Sequence, residues 1–418
     1  MKVTTAATTG HPFPRHLMLA CLLAAGLGGC ATDSQYEPRS PAVSPPPVRA
    51  TPPPTAPPTA PPTALPRPSP VPPAPPHERD GRALLNRLLP ANIGDRAGWT
   101  TDILAALTAL QIPALPENLC AAIAVIEQES SFVADPPVAG LSRIAWQEIE
   151  RRREKYSIPK LVLDLALRKA SPDGRTYRAR IDALQTERQM NALYDDMLSE
   201  LPGGKTLFGG YNPIRTGGPM QVSIAFAEEQ IRQRPYPYVR RDSVRNEVFT
   251  RRGGVYFGMA MLLDYPGSYS QMLYRFADFN AGRYSSRNAA FQDAVSRLSG
   301  QTLALDGDLL RYQDGVPADG SSETQRAIFL LRARLRLNEA EILRDLKLEK
   351  SPAFEQSVLY QRLYALAEAT SGAPRPRERL PQIDLKSPKI TRQLTTEWFA
   401  RRVEERYRTC LARRPAEA

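Results

Sequence analysis

The segment Glu127-Gln128-Glu129-Ser130-Ser131-Phe132 sets two carboxylates and two hydroxyls at the end of an apolar helical stretch. A general acid must hold its proton near neutral pH, and burial raises a carboxyl pKa because desolvation disfavours the charged form. Ile126 and Phe132 are the apolar neighbours for that purpose. At two residues' spacing Glu127 and Glu129 stand about 200° apart around a helix, so only one of them can face a given cleft. Two later segments carry amides beside loop or stop signals: Gly218-Pro219-Met220-Gln221-Val222-Ser223 and Ala277-Asp278-Phe279-Asn280-Ala281-Gly282. The three histidines are His11, His16 and His77, all ahead of the globular part of the chain. Their positions exclude Ser-His-Asp hydrolases, Cys-His proteases and His-ligated zinc from the rest. Acid–base work here falls to carboxylates, with no metal and no cofactor expected.

Taken in order, E-S-S-F at 129–132, G-P-M-Q at 218–221 and D-F-N-A-G at 278–282 resemble three segments of the lytic transglycosylase and goose-type lysozyme superfamily. Those proteins carry E-S-x-F at a helix end, G-L-M-Q in a loop and A-Y-N-A-G closing a later helix. The resemblance covers about residues 117–298. It implies a lysozyme-like fold in which Glu129 protonates the bond between N-acetylmuramic acid and N-acetylglucosamine. Glu129 then takes the proton from the muramyl C6 hydroxyl, which attacks C1 and leaves a 1,6-anhydro product. By the same resemblance Ser130 orients Glu129, while Met220, Gln221 and Asn280 line the cleft and peptidoglycan is the partner. Glu127 is then a structural charge. Asp135 and Asp278 are candidates for a second carboxylate should water attack instead.

Three departures bear on this. Glu129 and Gln221 are 92 positions apart, which makes the helical stretch 141–201 an insertion. Proline replaces leucine at 219, and Phe279 lacks the phenolic hydroxyl of the family's tyrosine. A different class of reading is a non-catalytic cell-wall-binding or scaffold lipoprotein that kept the fold.

The elements that must position these residues are helical. Apolar spacing predicts helices at 101–110, 117–132 and 223–234, and at 241–265 and 269–281. Two or three more lie in 141–201, interrupted by Ser171-Pro172-Asp173-Gly174, and the tail gives 323–337, 354–370 and 391–411. No alternating strand pattern is convincing, so the fold class is mainly α: a lysozyme-like helical domain at 79–299 with its insertion, then a helical C-terminal extension at 300–418.

The first 78 residues read as address and tether. Positive charge at Lys2 and Arg15, an apolar run over 17–27 and Leu27-Gly28-Gly29-Cys30 resemble a bacterial lipobox. That implies a signal at 1–29 and a lipidated Cys30, and Ala31 at the next position implies the outer membrane, facing the periplasm. The stretch 30–78 holds 19 of the chain's 41 prolines between Pro38 and Pro76. Such a tether is stiff and solvated, about 3.1 Å per residue, and reaches very roughly 140 Å. The net charge of +11 is spread over Arg-rich helix faces. These suit solvation and are compatible with an anionic polymer, and no nucleic-acid module is recognisable. Cys120 and Cys410 are the thiols left in the mature chain. An oxidising periplasm favours their pairing, against two separately buried thiols.

Overall fold

The computed structural model describes residues 76–200, 212, 214–240, 242–313, 316–385 and 394–414. The expected signal, the expected lipidation site Cys30 and nearly all of the expected tether lie outside the described residues, as does the Gly203-to-Gly210 loop. The chain is mainly helical, as its periodicity predicts, and among the described residues the sheets are three two-stranded antiparallel ribbons.

Three hydrophobic cores organise it. The first takes α1 (Pro76–Leu88), α2 (Arg96–Leu110) and α3 (Pro116–Ser130). Helix α3 starts where proline belongs, at the first helical position, whose N–H has no intrahelical partner. From Leu119 to Ile126 every side chain is completely buried, so α3 is the central helix with no solvent face. Burying each such Ile, Leu or Val stabilises the fold by about 1.5–3 kcal/mol.

The insertion forms a satellite core from α4 (Leu141–Lys155), α5 (Lys160–Leu167), α6 (Tyr177–Asp182) and α7 (Glu187–Ser199). Its described residues hold four helices, where the pattern suggests two or three. Thr186 and Gln189 cap α7 reciprocally, which fixes where that helix begins.

The chain then returns to the first core through β1 (Thr216–Gly217), β2 (Val222–Ser223), α8 (Ile224–Gln233), α9 (Val244–Val248), α10 (Arg251–Leu263) and α11 (Met272–Ala281). The expected single helix over 241–265 is divided, because Thr250 caps α10 by accepting from the Gly253 N–H. Helix α12 (Ser285–Ser299) opens the other large core, joined by β3 (Tyr312–Gln313), β4 (Val316–Pro317), α13 (Glu323–Leu330), α14 (Arg332–Leu335), α15 (Glu339–Leu346) and α16 (Val358–Ser371).

After β5 (Asp384–Leu385) and β6 (Leu394–Thr395), α17 (Thr396–Leu411) comes back to pack on α3 and α11. The cores therefore do not divide at residue 300: Phe291 and Val295 belong to the later one, and Phe399, Val403 and Cys410 to the first. Among the described residues no helix is long and apolar enough to cross a membrane. The tether's expected end at residue 78 also moves, since α1 begins at Pro76.

Candidate active site around Glu129

Glu129 sits in the last turn of α3, one residue before the fully helical backbone ends. The helix below it is buried on all sides, whereas residues 127–129 are half-buried. The chain leaves through two consecutive residues of left-handed backbone, Ser131 at φ 49° and Phe132 at φ 60°. Such a conformation is rare for an aromatic residue and must be held by its surroundings. Phe132 is 6% exposed and sets its ring edge-on to Trp99 at 5.2 Å. Arg251 in turn lies over Trp99 and bonds Asp102 at 2.5 Å.

Glu127 occupies a different side of α3 and approaches Arg406 of α17 at 4.0 Å. The Ser130 hydroxyl donates to the Ile126 carbonyl at 3.0 Å, a bond within its own helix. Orientation of Glu129 is thus not the bond the Ser130 hydroxyl makes.

The second motif is held by close backbone packing. A Cβ on Gly217 would collide with the Phe249 ring, and one on Gly254 would collide with Pro219. Met220 is 0% exposed and lies against Gly258, where a Cβ would stand 2.4 Å from its Sδ. The resemblance gave Met220 a place in the cleft lining; its side chain instead fills the core between the loop and α10 and offers no surface to a ligand. Gln221 is half-buried, at φ 50°, the third non-glycine residue of these motifs in left-handed backbone. Its Nε2 donates to Glu187 Oε2 at 2.9 Å, and the Thr216 hydroxyl approaches its Oε1 at 3.4 Å.

Glu187 is the residue that sequence reasoning missed. It is a 5% exposed carboxylate in the first turn of α7, delivered by the insertion. Its neighbours on either side reach the chain just past Glu129: the Thr186 hydroxyl donates to Asp135 Oδ2 at 3.1 Å, and Arg188 Nε does so at 3.0 Å. The α7 N-terminus therefore bridges the exit of α3 and the Gln221 loop. The signal for it was the T-x-x-Q capping box, although an acidic residue in a first helical turn ordinarily only complements the helix dipole.

Neither candidate for a second carboxylate is unengaged. Asp135 is tied to Thr186 and Arg188 as above. Asp278 is 1% exposed and accepts from the Tyr265 and Tyr269 hydroxyls and the Tyr284 and Ser286 backbone N–H groups. Burial raises its pKa above the usual carboxylate value against the opposing pull of the Tyr269, Ser286 and Tyr265 donors. It ties α11 to α12, a structural task.

Asn280 is exposed and its Oδ1 accepts from the Thr396 hydroxyl at 2.8 Å. Helix α17 runs antiparallel to α3: Glu117 meets Arg414, Cys120 is bonded to Cys410, and Glu127 meets Arg406. That register puts Thr396, and Asn280 with it, at the Glu129 end of the pair, offset about 10 Å along the axis at 1.5 Å per residue. Gln221 contacts Glu187 directly, the flanking Thr186 and Arg188 hold Asp135, six residues past Glu129, and the register of α17 puts Asn280 toward the same end of α3.

A family described as "Protein of unknown function (DUF1615)" matches residues 92–413, which takes in the insertion and the C-terminal helices without a break. The chain is 49% identical over 332 residues to the "Uncharacterized protein YaiW" of Escherichia coli (strain K12), covering 79% of this chain and 90% of that relative. No solved structure matches.

Proposed function

The chain belongs to the DUF1615 family, and we propose for this member the cleavage of peptidoglycan glycan strands, in the manner of a lytic transglycosylase, with Glu129 as the reacting carboxyl group. One observation carries the reading. A carboxylate stands at the end of a helix that is completely buried from Leu119 to Ile126, next to Ser131 and Phe132 in left-handed backbone, and the second motif also holds Gln221 left-handed. Backbone held in sparsely populated conformations concentrates at functional sites, where surrounding structure over-determines it. A rigid central helix is also the mount that general acid catalysis requires, since small misplacements of the acid cost rate steeply.

In this reading Glu129 donates its proton to the glycosidic oxygen between N-acetylmuramic acid and N-acetylglucosamine. It then accepts the proton of the muramyl C6 hydroxyl as that oxygen closes on C1. One residue serves as acid and then base, so no second carboxylate takes part in bond making. Gln221, held by Glu187, and Asn280, held by Thr396, are the polar groups offered to the sugar. Lipidation of Cys30 and a periplasmic, outer-membrane address complete the proposal.

The test is mass spectrometry of purified peptidoglycan after incubation with the protein. Anhydro-muropeptides should accumulate with the wild type and not with Glu129→Gln. A digest indistinguishable from buffer, or equal products from both proteins, would overturn it.

A second reading has its own observation. The Gln221 carboxamide is already bonded to a buried carboxylate from the insertion, which suits a scaffold that binds cell wall without turnover. Co-sedimentation with insoluble peptidoglycan and no released product would favour that reading.

A further inference from the structure

We propose that the outward face of α5, together with Tyr156, is a docking surface for an anionic lipid bilayer. The inference is independent of Glu129 and of glycan cleavage.

The sequence of α5, KLVLDLAL, has leucines on both of its faces. Leu163 and Leu167 turn inward onto the satellite core with Leu141, Tyr177 and Ile181. The other face is exposed among the described residues: Leu161 is 71% exposed, Leu165 59% and Val162 36%, and Tyr156 just before the helix is 53% exposed. Among the described residues nine large hydrophobic side chains are exposed, and four of them fall within these ten positions. Single exposed leucines are ordinary on a protein surface, whereas a contiguous group marks a surface that meets something apolar.

Charge selects the occupant. Residues 148–169 hold seven Lys or Arg side chains against Glu148, Glu150, Glu154 and Asp164, a net of +3; Arg151 and Arg152 pair with Glu148, Arg153 with Glu150 and Lys169 with Glu200. Lys155, Lys160 and Arg168 are exposed around the leucines, and Asp164 is engaged by Arg178 at 3.3 Å. Long basic side chains beside an apolar face can bury their stems and extend their charges to phosphate headgroups, while a tyrosine settles at the interface. A second copy of this chain fits poorly, because a two-fold contact would lay one net-positive face on another. A stable protein partner needs about 800 Å² per side, more than one two-turn helix supplies. A bilayer needs only shallow insertion.

The experiment uses the full chain with Tyr156→Trp as a local reporter, read as the difference from the chain without it, since the native tryptophans are common to both. It is mixed with vesicles of phosphatidylcholine and brominated phosphatidylglycerol. Indole emission from position 156 should fall by about half, recover in high salt, and stay unquenched in neutral brominated vesicles. Adding Leu161→Ser and Leu165→Ser should abolish the quenching with an unchanged circular dichroism spectrum, because both side chains are exposed. A protein that sediments with vesicles without quenching at position 156 overturns the proposal, as an anchor elsewhere then suffices. Equal quenching with the two serines also overturns it. So does concentration-dependent self-association that the serines remove without any vesicle effect, which would make the face an interface between copies.

Discussion

The Nε2 of Gln221 lies 2.9 Å from Oε2 of Glu187, joining a loop of the first core to a helix of the insertion across 34 residues of sequence. Gln221 is held in a left-handed conformation, with its N–H donating to the Gly218 carbonyl at 3.1 Å, and its side chain pairs with a buried carboxylate. That pairing makes the insertion part of the site rather than an appendage next to it.

Glu187→Ala should therefore act at a distance. Its removal frees the Gln221 carboxamide and unties the start of α7, costing about 1–3 kcal/mol for the lost charged hydrogen bond. If the site is catalytic, anhydro-muropeptide release should fall at least about tenfold while Glu129 is untouched. Urea titration and muropeptide analysis of the same protein separate the two effects; unchanged product release would show that the insertion does not position the site.

Glu127→Gln and Glu129→Gln should behave differently. The 4.0 Å approach of Glu127 to Arg406 is a partly exposed ion pair, worth at most about 1 kcal/mol. The Glu127 variant should keep most wall-cleaving activity with Tm lowered by no more than a few degrees. The Glu129 variant should lose activity and keep its Tm. Equal loss of activity in both would contradict the separation seen around α3.

The Cys120–Cys410 disulfide, with Cα atoms 5.5 Å apart, staples α17 to the central helix across 290 positions. Ellman titration of denatured, non-reduced mature protein should find no free thiol other than any unmodified Cys30. Cys410→Ser should lower stability by about 2–4 kcal/mol, since closing so long a loop restricts the unfolded chain.

Asp278 should impose a pH dependence of a particular sign. Burial raises its folded pKa above the unfolded value near 3.8. The native state therefore binds the proton more tightly, so this group's contribution is fully present below the unfolded pKa and is lost as pH rises through the folded one. Asp278→Asn should remove that downward component from a plot of stability against pH. It should also lower stability throughout, by about 2 kcal/mol or more, because an amide cannot accept from all four donors. Urea midpoints of both proteins across acidic pH provide the comparison.

Cys30→Ala should abolish labelling by radioactive palmitate and shift the protein from the membrane to the soluble fraction or halt its maturation. Labelling that persists in the variant would exclude Cys30 as the acceptor.

What the sequence by itself determined is local. Helical periodicity and the stop at Gly282 depend on residues a turn or two apart, so they are legible along the chain. The mainly α class and the helix under Glu129 follow from them, as does the angular separation of Glu127 from Glu129. What only the tertiary structure decided is which distant groups meet. Gly258 makes room for Met220 in the core, the insertion returns Glu187 to Gln221, four donors converge on Asp278, and α17 leaves the later core to pack on α3. Each of these depends on packing complementarity between segments tens to hundreds of residues apart. Volume and hydrogen-bond matching across such separations have no period or spacing that a linear sequence displays.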